Sequence, residues 1–314
     1  MVGEDIMSRS KRILDIGKFM LLALFIMGLG LTNSYADNGH AIATIQVVAA
    51  ENFWGSLVSQ LGGSRVSVVS VLSDPNADPH EYESNANTAK TFTTARYVIL
   101  NGAGYDSWAE KLLSAGTNTD RKVLNVANLL GKKDGDNPHF WYNPDYVNQV
   151  IARMEQDLIS IDPTYTAYYK EQYAALQKTL EPYQNRIASI KKQFGATPIA
   201  CTESICVYPA TSLGLNLVSP AEFMDAIDEG NDPPVQSVVK FEGLIKDKKI
   251  QVLVYNEQTV TPITENIKKI AADAGIPVVG ITETIQPPDV SFQEWMNAEL
   301  IFIENALNAK ALGK

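Results

Sequence analysis

Two of the three histidines in this chain share one setting, each directly behind a proline. His80 lies in Pro75-Asn76-Ala77-Asp78-Pro79-His80-Glu81-Tyr82-Glu83, after the alternating apolar run from Val66 to Leu72, and His139 lies in Asn137-Pro138-His139-Phe140-Trp141. Proline fixes its own φ and pushes the residue before it toward extended backbone, so a histidine following it at the end of a strand is held in place. An imidazole held on a loop can exchange protons near neutral pH or bind a transition metal. A lone loop histidine is an ordinary surface residue, and it is the repeated context that gives this pair a functional reading. Two carboxylates occupy comparable places: Glu203 behind the apolar run that ends at Cys201-Thr202, and Glu283 in Thr282-Glu283-Thr284-Ile285. Standing alone, Glu203 reads equally well as a helix cap and Glu283 as a surface carboxylate. Glu257, after Tyr255-Asn256, is a weaker fifth candidate.

The two cysteines of the chain fall in Cys201-Thr202-Glu203-Ser204-Ile205-Cys206. This spacing matches no common zinc motif, which favours a disulfide or two buried thiols over ligation; the sequence does not choose between those two. Asn101-Gly102-Ala103-Gly104 ends a strand without a GxGxxG or P-loop pattern and reads as a turn.

The elements that must position these residues alternate along the chain. Strands are expected at about 43–50, 65–72 and 95–101, separated by helices near 53–61 and 84–93, the βαβα order of a parallel sheet covered by helices. The second half repeats this, with strands near 198–202, 216–219, 250–255 and 277–281 and helices near 235–246, 262–274 and 291–307. Between the halves, Tyr169, Tyr173, Leu176, Leu180, Tyr183, Ile187, Ile190 and Phe194 recur in steps of four and three, which predicts one long helix over 162–194. Asp162-Pro163 supplies its start, Gly195 its stop, and Pro182 an internal kink. The expected fold is α/β, two lobes of parallel sheet linked by one long rigid helix. In such sheets ligands bind at the carboxyl ends of the strands, where His80, His139, Glu203 and Glu283 are all expected.

Residues 1–36 lie outside the fold argument. Arg9, Lys11, Arg12 and Lys18 precede an apolar run from about Phe19 to Leu31, and Ser34-Tyr35-Ala36 supplies small residues for cleavage, the pattern of a signal peptide. The expected organisation is 1–36 signal peptide, 37–161 N-terminal lobe, 162–195 connecting helix and 196–314 C-terminal lobe. The leader contains no cysteine, so a lipobox is absent from it and a periplasmic or equivalent location is expected. The chain carries a net charge of −10, and removing the leader leaves −11. An acidic balance argues against nucleic-acid binding and suits a protein that attracts cations; the acidic loop from Asp225 to Asp232 reads as a solvated face that could share in this.

Taken together, these motifs resemble the metal-binding solute-receptor family of manganese and zinc ABC importers, whose lipoprotein members are often called adhesins. Asp78-Pro79-His80-Glu81-Tyr82-Glu83 is similar to that family's D-P-H-x-Y-E, and 137–144, Asn-Pro-His-Phe-Trp-Tyr-Asn-Pro, to its D-P-H-x-W-x-D-P. The resemblance implies one divalent metal in the cleft between the lobes, held by His80, His139, Glu203 and Glu283, and delivery of that metal by a monomer to a permease in the inner membrane. Glu203 stands where some members have a histidine. Glu283 stands at the aspartate of T-D-S-I, one methylene longer, which leaves either the carboxylate or a water in that position. Asn137 and Asn143 replace aspartates beside His139.

Two imidazoles and two carboxylates tilt the expected metal toward manganese, with zinc or ferrous iron as alternatives, because oxygen donors favour expanded coordination while three imidazoles and a carboxylate suit tetrahedral zinc. Residues 115–136 contain no histidine, whereas many zinc-specific members insert a histidine-rich loop there. The competing class is a secreted metalloenzyme. No His-x-x-x-His pair is present, and nothing sets Glu81 or Glu257 beside a substrate as a base.

Overall fold

The computed structural model describes residues 44–74, 82–116, 118 and 120–312. Its first sheet is parallel, with strand order β2-β1-β3-β4, formed by β1 (Ile45–Glu51), β2 (Val66–Leu72), β3 (Tyr97–Leu100) and β4 (Lys122–Asn125). A second parallel sheet has order β6-β5-β7-β8, formed by β5 (Pro198–Cys201), β6 (Asn216–Leu217), β7 (Val252–Asn256) and β8 (Val278–Ile281). The central strands are nearly continuous apolar runs, as parallel strands covered on both faces must be, and all four residues of β3 are buried. In each sheet the chain reverses its direction of winding once, between β1 and β3 and between β5 and β7. The crevices at the carboxyl ends of those pairs are therefore the topological switch points at which α/β folds bind ligands.

Helices α1 (Asn52–Gly62), α2 (Ala86–Thr94), α3 (Ser107–Ala115), α4 (Val126–Leu129) and α5 (Pro144–Ile161) belong to the first half. The long helix α6 runs from Thr166 to Phe194 through Pro182. The second half carries α7 (Val207–Ser212), α8 (Ala221–Asp228), α9 (Val235–Lys246), α10 (Pro262–Asp273) and α11 (Phe292–Leu312). The two α/β lobes and the long helix of the sequence reading are thus the architecture observed.

The long helix is held by its buried stripe. Tyr169, Leu176, Leu180, Tyr183, Ile190 and Phe194 enter one apolar cluster that also contains Phe53, Trp54 and Trp141 of the first half and Leu213, Trp295 and Ile303 of the second. One core therefore runs through both lobes, and truncating a member such as Trp141 to alanine would cost about 3–5 kcal/mol. Arg186 of α6 adds a polar tie to α11, its Nε donating to Asn297 Oδ1 at 2.8 Å.

Three local expectations are corrected. Asp162 does not cap the long helix: its Oδ2 accepts from Arg65 Nη2 at 2.9 Å, and a 3-10 turn at Pro163–Tyr165 precedes α6. The helix does stop at Gly195, whose N–H donates to the carbonyl of Lys191 at 3.1 Å, and the left-handed residue behind it is Ala196 at φ 65. Helix α5, absent from the sequence reading, begins where Asn143 Oδ1 accepts the N–H groups of Asp145 and Tyr146 ahead of Pro144, so Asn143 serves a helix start and not His139. The short edge strand β4 is also additional to the expected set.

Candidate metal site

Three of the four expected donors are described, and each is fully buried, at 0 % exposure for His139, Glu203 and Glu283. His80 and Glu81 lie outside the described residues, as does the leader.

The turn behind β3 sets the first-half side of the cleft. Asp106 closes it, its Oδ2 accepting Asn101 N–H at 2.6 Å and its Oδ1 accepting Gly102 N–H at 2.8 Å. Gly102, Ala103 and Gly104 all take positive φ, and at Gly102 a Cβ would also collide with the side chain of Asn125. The turn directs Tyr105 across to the second half, where its hydroxyl donates to Glu283 Oε2 at 2.6 Å. Asn101 fixes the neighbouring loop, accepting from Trp54 Nε1 at 3.1 Å and donating through Nδ2 to the carbonyl of Pro138 at 2.9 Å.

His139 is held on that neighbouring loop by Asn137. The amide oxygen of Asn137 accepts the backbone N–H of His139 at 3.0 Å and lies 2.9 Å from its Nδ1. The amide nitrogen donates to the carbonyl of Ser204 at 2.8 Å, which fixes the amide's orientation, because the reverse would set two oxygens together. With Oδ1 facing the ring, Nδ1 carries a proton, which leaves Nε2 as the nitrogen turned toward Glu283 and the one a metal would take, as in metal-ligating histidines. Trp141 packs against the imidazole with ring centroids 5.2 Å apart and stacks on Phe53 at 4.1 Å. His139 Nε2 lies 3.9 Å from Glu283 Oε2.

Glu283 follows β8 and is gripped on every side. Asn256, at the end of β7, donates through Nδ2 to Glu283 Oε1, and Gln258 Oε1 accepts the N–H groups of Glu283 and Thr284 at 2.7 and 3.0 Å. Two residues on, the backbone of Ile285 exchanges hydrogen bonds with the side chain of Asn52, the first residue of α1, at 3.0 and 3.4 Å. Beneath it, Glu299 accepts Thr282 N–H at 2.8 Å and Trp295 Nε1–H at 3.0 Å, while burial pushes its carboxyl up to about 7.

Glu203 follows β5 inside a ring closed by a disulfide between Cys201 and Cys206, which answers the question the sequence left open. The backbone of Cys201 is tied to Ser219 Oγ on both sides, at 2.6 and 2.8 Å, and Ser204 N–H donates to Asp228 Oδ1 at 3.0 Å. Asp228 thus belongs to this loop, whereas Asp225, Glu229 and Asp232 of the same acidic stretch are exposed. Glu257 is exposed too, and its Oε1 accepts from Tyr255 at 3.3 Å, so it does not join the buried His139 and Glu283.

Two further carboxyls lie where the sequence reading placed none. Glu51 ends β1 fully buried, and burial first and the neighbouring Asp106 second raise it well above the usual carboxylate range; burial likewise raises Asp106. Tyr105, Asn52, Asn256 and Gln258 are equally unforeseen, since each acts through a partner far away in sequence. The structure therefore brings His139 and Glu283 together and ties the Glu203 loop to the His139 loop. Among the described residues no three His, Cys, Asp or Glu side chains converge closely enough to hold a metal. The donor chemistry nonetheless fits a cation: an imidazole nitrogen and a carboxylate, both fully buried, that face one another.

Comparison with known proteins agrees with this geometry. Residues 47–306 match the family described as zinc-uptake complex component A, periplasmic. The manganese-binding lipoprotein MntA of Halalkalibacterium halodurans is 22 % identical over 271 residues, covering 83 % of this chain and 85 % of that protein. The iron-binding protein YfeA of Yersinia pestis is 23 % identical over 226 residues, covering 69 % and 70 %. The periplasmic zinc-binding protein TroA of Treponema pallidum shares the fold with a TM-score of 0.72 at 14 % identity, over 84 % of this chain and 99 % of that one. By the extent of the family match, the chain belongs to the periplasmic zinc-uptake component A family, whose members are substrate-binding proteins of metal ABC importers and not enzymes.

Proposed function

We propose that this protein is an extracytoplasmic receptor that captures a divalent transition metal, manganese before zinc or ferrous iron, and delivers it to an ABC permease of the inner membrane. The observation that carries this reading is the pairing of His139 with Glu283 in a fully buried pocket, with the imidazole tautomer set by Asn137. Glu203, behind β5, and His80 complete the donor set.

Manganese is favoured because two of the four donors are carboxylates, which supply oxygen and permit more than four contacts. Relatives named for manganese, iron and zinc all share this framework, so the choice of metal rests on the donors of this chain. On this reading the receptor acts as a monomer, is exported by residues 1–36, and consists of lobes 37–161 and 196–314 joined by the helical segment 162–195. His139 and Glu283 come from opposite sides of the cleft, so a bound metal bridges the lobes, and with only small lobe movements permitted by the long helix the permease recognises this loaded shape. The direct test is His80→Ala and His139→Ala in the metal-stripped protein. Each should abolish tight manganese and zinc binding while leaving the circular dichroism spectrum unchanged; full retention of affinity would remove that histidine from the site.

A further inference from the structure

Asn137 is a neutral amide that does two jobs at once. Its oxygen takes the backbone N–H of His139 at 3.0 Å and faces Nδ1 at 2.9 Å, while its nitrogen reaches across the cleft to the carbonyl of Ser204 at 2.8 Å. Ser204 directly follows Glu203 within the disulfide-closed ring, and Ser204 N–H is held from behind by Asp228. Tyr208, on α7, adds a second tie by donating to the carbonyl of Asn137 at 3.0 Å. The His139 loop and the Glu203 loop, one from each half of the chain, thus meet at a single residue, through the side chain and the carbonyl of Asn137.

We infer that Asn137 is a positioning residue that couples the two donor loops, so that His139 and Glu203 are set against the metal together and not independently. This rests on the receptor reading above. A carboxylate at the same place would supply only half of it. Aspartate could accept from the imidazole, and more strongly than an amide does, but it has no hydrogen to give the carbonyl of Ser204 and would present a negative oxygen to it. An amide accepts on one side and donates on the other, and only the donating side crosses the cleft.

The test compares Asn137→Ala and Asn137→Asp with the parent, using manganese and zinc in chelator competition and cobalt(II) as a spectroscopic probe. Asn137→Ala removes both bonds and should weaken binding roughly 10–100-fold, the usual cost of losing a partner behind a metal ligand. Asn137→Asp restores the acceptor for His139 alone. It should remain several-fold weaker than the parent while keeping the parent's cobalt d–d spectrum, because the ligand set is intact. Metal-free thermal midpoints separate this from a merely structural role, which would lower the midpoint and leave the affinity of the folded protein unchanged. Asn137→Asp binding as tightly as the parent would overturn the coupling, and so would Asn137→Ala within threefold of the parent or an altered cobalt spectrum in Asn137→Asp. Failure of the parent itself to bind any of the three ions would refute the receptor reading, and the coupling with it.

Discussion

Replacing Glu299 by glutamine should change how the stability of this protein responds to pH. Glu299 lies buried in α11, with Oε1 accepting from Thr282 N, Thr282 Oγ1 and Trp295 Nε1 and Oε2 against the Tyr142 hydroxyl, whose single hydrogen is shared between Oε2 and the carbonyl of Thr282 2.7 Å away. Those donors favour the ionised form, yet burial outweighs them and raises the carboxyl from 4.5 to about 7. The folded protein therefore binds this proton more tightly than the unfolded chain does. Its contribution to stability is fully present below about pH 4.5 and is lost as pH rises through about 7, a swing of about 3 kcal/mol. Glutamine keeps an oxygen for the three donors and offers an N–H to the Tyr142 hydroxyl, so it preserves the contacts without the titration. Glu51 and Asp106, raised in the same direction, are common to both proteins and cancel in the comparison. Urea unfolding in the presence of a chelator, from about pH 4.5 to about 8, should show the variant gaining about 3 kcal/mol on the parent toward the alkaline end. An equal difference at both ends of the range would refute the reasoning.

Other perturbations act on the cleft itself. Tyr105→Phe removes the hydroxyl that reaches Glu283 from the opposite half and should weaken manganese binding about 10-fold in chelator competition, with the fold retained. Replacing both Cys201 and Cys206 by alanine opens the short ring around Glu203, whose sequence separation is 5; it should cost about 2 kcal/mol in urea unfolding and weaken metal binding as well. Glu257→Gln, at an exposed residue bonded to Tyr255, should leave metal affinity unchanged in the same titration.

Much of the fold is legible in the sequence because its central strands are apolar runs bounded by polar turns, as with Val47–Ala50, Tyr97–Leu100 and Val252–Val254. Helix α6 is legible for a different reason: one apolar stripe serves both lobes, so its period continues unbroken from Tyr169 to Phe194. Strand β4 is not, since of its four residues only Leu124 is buried. Helix α5 has a readable stripe in Val147, Val150, Ile151, Met154 and Leu158, but its start signal, Asn143-Pro144, lies inside a motif that also reads as donor chemistry. The donor types His139, Glu203 and Glu283 are visible as residues behind strands. What supports them is not visible, because Tyr105 and Glu283 are 178 positions apart and Asn52 and Ile285 are 233 apart, joined only when the lobes pack.

The central claim is that this buried cleft holds a divalent transition metal. Thermal unfolding of the metal-stripped mature protein with manganese, zinc, ferrous iron and calcium tests it most directly, since an ion that binds only the folded state raises the midpoint in proportion to the logarithm of its concentration over its dissociation constant. The account predicts large upward shifts with manganese and zinc, lost in His139→Ala. No shift with any of the four ions would contradict it.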